Sequence, residues 1–146
     1  MADGNWLLAI GFLLMANDNL YKNNIMRDFK KFEVWQISHR LTLKIYTVTK
    51  NFPKEEIFGL TSQIRKSFAS IGYNISEGSG RNSDKEFANF INIALGSSNE
   101  AENQLILSKD LNYLDDAIFQ DILDELIILK KKLVTLWNKL NEKIEN

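Results

Sequence analysis

Apolar residues recur at helical spacing along nearly the whole chain. Val34, Ile37, Leu41, Ile45, Val48 and Phe52 stand three or four positions apart, which places them on one face of an α-helix. The pattern predicts a first helix over 28–51. Pro53 closes it, because proline lacks a backbone N–H and pushes the residue before it out of helical geometry. A second helix is predicted over 60–78 from Leu60, Ile64, Phe68, Ile71 and Ile75, ending in Glu77-Gly78-Ser79-Gly80. Beside its core stripe runs a row of small residues, Ala69, Gly72 and Ser76, that would let another helix approach closely.

Ser83-Asp84-Lys85-Glu86 has the form of a capping box and opens a third helix running to about Asn112. Its core face holds Phe87, Phe90, Ile91, Ala94, Ser98, Ala101 and Leu105, and its opposite face holds Asn89, Asn92, Gly96, Asn99 and Asn103. Asp115 is an N-cap for a fourth helix, in which Ile118, Ile122, Leu126, Leu129, Leu133, Leu136 and Leu140 keep the helical period. Phe119, Leu123, Val134 and Trp137 add a second apolar stripe, more than a lone bundle can bury, so self-association is expected. Short loops and no strand pattern predict an all-α protein, an antiparallel up-down-up-down four-helix bundle over 26–146.

The stretch before Met26 behaves differently. Residues 6–16 are apolar but well short of the ~20 residues a membrane-spanning helix requires. Asp3 in place of a basic region argues against a signal peptide. Asn17–Ile25 reads as a polar spacer and Met26 as the natural start, so residues 1–25 are expected to be an extension outside the fold. A cytoplasmic protein with no membrane association is the expectation.

Composition removes several chemistries. The chain has no Cys and a single His, His39, which leaves no disulfide, thiol nucleophile, Cys-based zinc site or pair of His ligands. The His39 surroundings lack the Glu-x-x-His spacing of di-iron bundles, so the imidazole is expected to be solvated or locally hydrogen-bonded. Gly78-Ser79-Gly80 is a helix stop and not a phosphate loop, since no strand precedes it and no Lys-Ser/Thr follows. No catalytic residue, metal or cofactor is expected, and the chain reads as a non-enzyme.

Charge carries more information. Residues 27–85 hold eleven Lys/Arg against six Asp/Glu, net +5, while 86–146 hold six against eleven, net −5. Arg27, Lys30, Lys31, Arg40, Lys44, Lys66, Arg81 and Lys85 are the candidate contacts for RNA phosphates, though a solvated basic face is the more common role of such a helix and the charge division narrows that margin without reversing it. Phe29, Phe32, Trp35 and Tyr46 lie among them and could stack on bases, though core or interface packing is the stronger expectation. On the second helix Gln63, Ser67, Ser70, Asn74 and Glu77 form a polar stripe, either a solvated face or a seam between subunits. Glu102 is expected to be half-buried and held by an Arg or by Ser and Asn donors.

Several stretches, taken in order, resemble a known family: Phe32-Glu33-Val34-Trp35-Gln36, Asn51-Phe52-Pro53, Gly59 to Arg65, Asn74-Ile75-Ser76-Glu77-Gly78, and Gly96-Ser97 with Glu100 and Glu102. They are similar to the bundle proteins encoded in intervening sequences of bacterial 23S ribosomal RNA genes, the S23 family. The family's Asn-Ile-Ala-Glu-Gly appears here with Ser76 for Ala. The resemblance covers about Phe29 to Leu140 and implies a non-enzymatic homopentamer of bacterial origin, acting on RNA or an RNA-handling protein. The related accessory proteins of diversity-generating retroelements make a reverse transcriptase one such partner. The matched polar residues Gln63, Arg65, Asn74, Glu77, Ser97 and Glu102 are assigned to structure first, because a bundle needs its internal polar groups satisfied.

Overall fold

In the computed structural model the described residues are 5–22 and 27–145, with side chains placed for 5–16 and 27–144. They form five α-helices and no strand: α1 (Asn5–Lys22), α2 (Glu33–Val48), α3 (Leu60–Ser79), α4 (Asp84–Asp110) and α5 (Asp116–Glu145). The all-α expectation is borne out, with five helices where four were expected. The extra one, α1, carries Trp6, Leu8, Phe12 and Leu14 exposed, and a Cβ added at Gly11 would meet no other atom. It continues to Lys22, through residues that composition reads as spacer. Met26, the expected start, lies outside the described residues.

The first predicted helix is shorter than its apolar period suggested. Asp28 accepts the backbone N–H of Lys30 and sets a separate 3-10 turn, Phe29–Lys31, after which Phe32 is extended at φ −76°, ψ 123°. Helical geometry then starts afresh at Glu33. At the other end a second 3-10 turn, Thr49–Asn51, leads to Phe52, which the following Pro53 holds extended at ψ 153°. The Glu56 carboxylate accepts the N–H of Leu60 at 2.9 Å and so serves the exposed start of α3 from four residues upstream.

The capping signals act as read. Ser83 Oγ accepts the N–H of Glu86 and donates to its carboxylate, and Asp115 accepts the N–H of Ile118 at 2.8 Å. Between α4 and α5 the chain reverses at Asn112, φ 59°, a left-handed conformation that Asn tolerates better than most residues. Tyr113 N–H then bonds the Ser108 carbonyl at 2.9 Å and closes the end of α4.

Helices α2 to α5 share one core. It includes Leu41 and Ile45, Ile64 and Phe68, Phe87 and Ile91, Leu126 and Leu129. Each of these helices packs on its sequence neighbour, and α2 also packs on α5. Between α2 and α5 the contacts run in opposite senses: Glu33, Arg40 and Lys44 meet Lys132, Glu125 and Asp121 in turn. Ser67 and Ser70 likewise meet Gln104 and Ser97. At the start of α5 two neighbours exchange roles: Ile118 is 38% exposed and Phe119 only 7%. A 3/4 spacing accommodates either residue.

Candidate interaction surfaces

Long side chains of α2 and α5 meet along one flank of the molecule. The Lys44 ammonium donates to Asp121 at 2.7 Å and to Glu125, and Arg40 Nε donates to Glu125 at 3.1 Å. Lys132 of α5 reaches back to Glu33 at 2.9 Å. Lys44 titrates above its ordinary value because hydrogen bonds to Asp121 and Glu125 favour the ammonium, only partly opposed by burial. Burial alone would raise Glu125, but the hydrogen bonds from Lys44 and Arg40 outweigh it and hold the carboxyl below its ordinary range. Part of the charge division between the two halves of the sequence is thus answered inside the chain.

The eight candidate phosphate contacts accordingly divide. Arg27 donates to the Arg81 carbonyl at 2.9 Å, pairs with Asp84 and lies over the Phe87 ring, fastening the entry to α2 onto the start of α4. Arg81 is paired with Glu77 and sits over Phe90, Lys30 lies 4.0 Å from Asp28, and Arg40 and Lys44 are paired as above. Lys31, Lys66 and Lys85 are exposed and enter no ion pair among the described residues.

Between α3 and α4 the polar groups are neutral. Ser67 Oγ donates to Gln104 Oε1 at 2.5 Å, and both residues are buried. Ser70 and Ser97 share a hydrogen bond at 2.9 Å, and Asn74 Nδ2 donates to the Ser70 carbonyl at 2.8 Å. The central residues of the predicted polar stripe therefore serve a seam within one chain, whereas Gln63 and Glu77 at its ends are exposed. Glu102 is half-buried as expected, but its partner is Lys130 of α5 and not an Arg, Ser or Asn. Arg65 donates to Thr49 Oγ1 at 2.8 Å and stacks over the Tyr46 ring at 4.8 Å.

A third surface is the groove between α2 and α3. Its floor is the small-residue row, and a Cβ at Gly72 would lie 3.1 Å from Ser38 Oγ. Two hollows of about 470 and 520 Å³ run into each other through Tyr46, Ala69 and Tyr73. Trp35 and His39 stack at 4.9 Å with their planes 12° apart, and Phe29 meets Trp35 edge-on at 5.0 Å. His39 is exposed, as expected, yet its neighbour is an aromatic ring. Tyr73 is 71% exposed and Phe58, in the loop before α3, 94%. Neither was singled out from the sequence, where an aromatic residue at helical spacing is indistinguishable from core.

On α5, Ile127, Ile128, Val134 and Trp137 remain exposed, so the second stripe of that helix is buried only at Phe119 and, in part, Leu123. No cluster of three or more metal-ligating side chains occurs among the described residues, and none of the described helices is long and apolar enough to cross a membrane.

A family model described as 23S rRNA-intervening sequence protein matches residues 30–135. A crystal structure of a protein with unknown function from the S23 ribosomal protein family, from Bacteroides thetaiotaomicron VPI-5482, is similar at 28% identity. It superposes with a TM-score of 0.66 and covers 71% of this chain and 97% of its own. No curated protein matches.

Proposed function

The chain belongs to the family of 23S rRNA-intervening sequence proteins, and from that premise we propose that it is a non-enzymatic, homo-oligomeric helical protein that associates with RNA in the bacterial cytoplasm. In this reading α2 to α5 make up an antiparallel up-down-up-down bundle, with α1 outside it. The opposite-sense contacts between successive helices, and between α2 and α5, support that topology.

Self-association rests on one observation, the apolar residues Ile127, Ile128, Val134 and Trp137 left exposed on one helix. Side chains of this size in water favour burial against a second copy by about 1.5–3 kcal/mol each when fully covered. The family resemblance sets the expected number of copies at five. Light scattering of the full chain at micromolar concentration should give a multiple of 16.9 kDa, and the double variant Ile127→Glu/Val134→Glu should reduce it. A parent that runs as a monomer overturns the assembly.

Association with RNA draws on the exposed lysines that have no acid partner among the described residues, Lys31, Lys66 and Lys85. The pairing of Arg40 and Lys44 with α5 carboxylates favours a second reading, an adaptor that docks an acidic or RNA-handling protein such as a reverse transcriptase. Salt separates the two. Direct phosphate contact gives a log–log slope of about −0.7 per single-strand phosphate neutralised, and an adaptor shows little RNA binding near physiological salt.

A further inference from the structure

We propose that the groove between α2 and α3 is a binding site for single-stranded RNA, with bases stacked on its aromatic rings and phosphates held at Arg65 and Lys66. The inference rests on the RNA-associated reading above and assigns that activity to a place in the fold.

Charge is the first observation. Many cations outside the groove, though not Lys31 or Lys85, come with acids: Arg27 with Asp84, Arg40 and Lys44 with Glu125, Arg81 with Glu77, Lys130 with Glu102. The groove differs, since among the described residues neither of its two hollows is lined by any Asp or Glu. Among the described residues Arg65 has only a hydroxyl and a ring as partners, so no acid there compensates its positive charge. Lys66 stands one residue further along α3, exposed and in no ion pair among the described residues. A surface that keeps its positive charge and excludes negative charge suits a polyanion.

Ring geometry is the second. Phe29, Trp35, His39, Tyr46 and Tyr73 line the groove, and Leu43 and Ile57 complete its walls. Trp35 and His39 already form a stack, and Tyr73 offers most of its ring to solvent. Every base has a π-face, so rings beside a cationic edge make a stacking platform that tolerates any sequence. Ala69 and Gly72 keep the floor low, because neither carries a side chain beyond Cβ. From Trp35 to Tyr46 of α2 the groove can follow a strand for about 17 Å, enough for a few nucleotides.

The test uses the full chain and a fluorescein-labelled twelve-nucleotide oligouridine, followed by anisotropy from low to physiological salt. Tyr73→Ala should weaken binding by about five- to a hundredfold, the loss of one stacking platform. Lys66→Glu should weaken it too and make the salt slope shallower by about 0.7. Lys131→Glu, the same charge change at an exposed position of α5, should leave the slope as in the parent. Both groove substitutions are at exposed positions, and an unchanged circular dichroism melt excludes misfolding as the cause. If the parent binds and both groove variants bind equally well, the site lies elsewhere and only this inference fails. A parent that does not bind even at low salt removes the RNA reading with it. If Tyr73→Ala lowers the assembled mass and leaves RNA affinity unchanged, a second copy covers the groove and the proposal is wrong.

Discussion

Between α3 and α4 the polar groups are neutral, short and buried, whereas between α2 and α5 they are charged, long and partly exposed. Ser67, Gln104, Ser70 and Ser97 bring two backbones close and leave little play. Arg40, Lys44, Asp121 and Glu125 span their gap with flexible arms that can shift without losing partners. The first seam fixes register through geometry, so an atom too many or too few is felt. Selectivity in the second comes from matching sign, at little net stability, because exposed pairs are well solvated when apart.

Adding volume to the neutral seam gives the largest expected effect. A Cβ at Gly78 would lie 2.5 Å from Phe90 Cβ and 2.8 Å from Phe87 Cδ2, and Phe90 Cβ cannot move without its backbone. Gly78→Ala should therefore destabilise the fold by about 1–3 kcal/mol in urea unfolding. A neutral change would mean that α3 and α4 slide more freely than their short hydrogen bonds suggest. Next comes Ser67→Ala, which strands the buried Gln104 carbonyl oxygen and should cost about 1–2 kcal/mol, equally at low and high salt. Salt dependence there would erase the distinction between the seams.

The charged seam should respond least to substitution and most to solution conditions. Lys44→Met should lower stability by less than about 1 kcal/mol, and 1 M salt should remove the difference. Because the Glu125 carboxyl titrates below 4.5 in the folded state, its stabilising contribution is present above that pH and lost as pH falls through the folded-state value. Lys44, raised above 10.5, contributes below that pH and loses its share as pH rises through its folded-state value. Glu125→Gln should flatten the acid limb of a stability–pH curve, and an unchanged limb would assign the acid sensitivity to other carboxyls.

Much of the helical framework was legible because periodicity depends only on spacing. The stripes of α3 and α4, the Ser83 and Asp115 caps and the close approach at Gly72 all follow from residues within one turn of each other. The early start assigned to the first helix fails at Phe32, whose extended backbone ends the single 3-10 turn capped by Asp28 and forces helical geometry to begin again at Glu33. Ile118 and Phe119 changed places because the period cannot choose between adjacent residues. What the sequence hid was pairing across distance. The sum over residues 27–85 records an excess of cations but not that Arg40 and Lys44 face α5, and the polar stripe of α3 does not reveal that Gln104 lies opposite Ser67. The groove was half visible: the row of small residues was read, but the exposure of Tyr73 was not.

The α2–α5 seam also bears on how the chain reaches this structure. Its hydrogen bonds join residues 77 to 99 positions apart, against 27 to 37 for the Ser70–Ser97 and Ser67–Gln104 bonds between α3 and α4 and 28 for Glu102 with Lys130. Closing so long a loop carries the largest entropic cost among these contacts, while the other pairings are local and fast. Attraction between opposite charges acts over several ångströms before any side chains interlock. The pairs that contribute least to final stability are thus the ones suited to guide the slowest encounter, and raising the salt should slow refolding more than it weakens the folded protein.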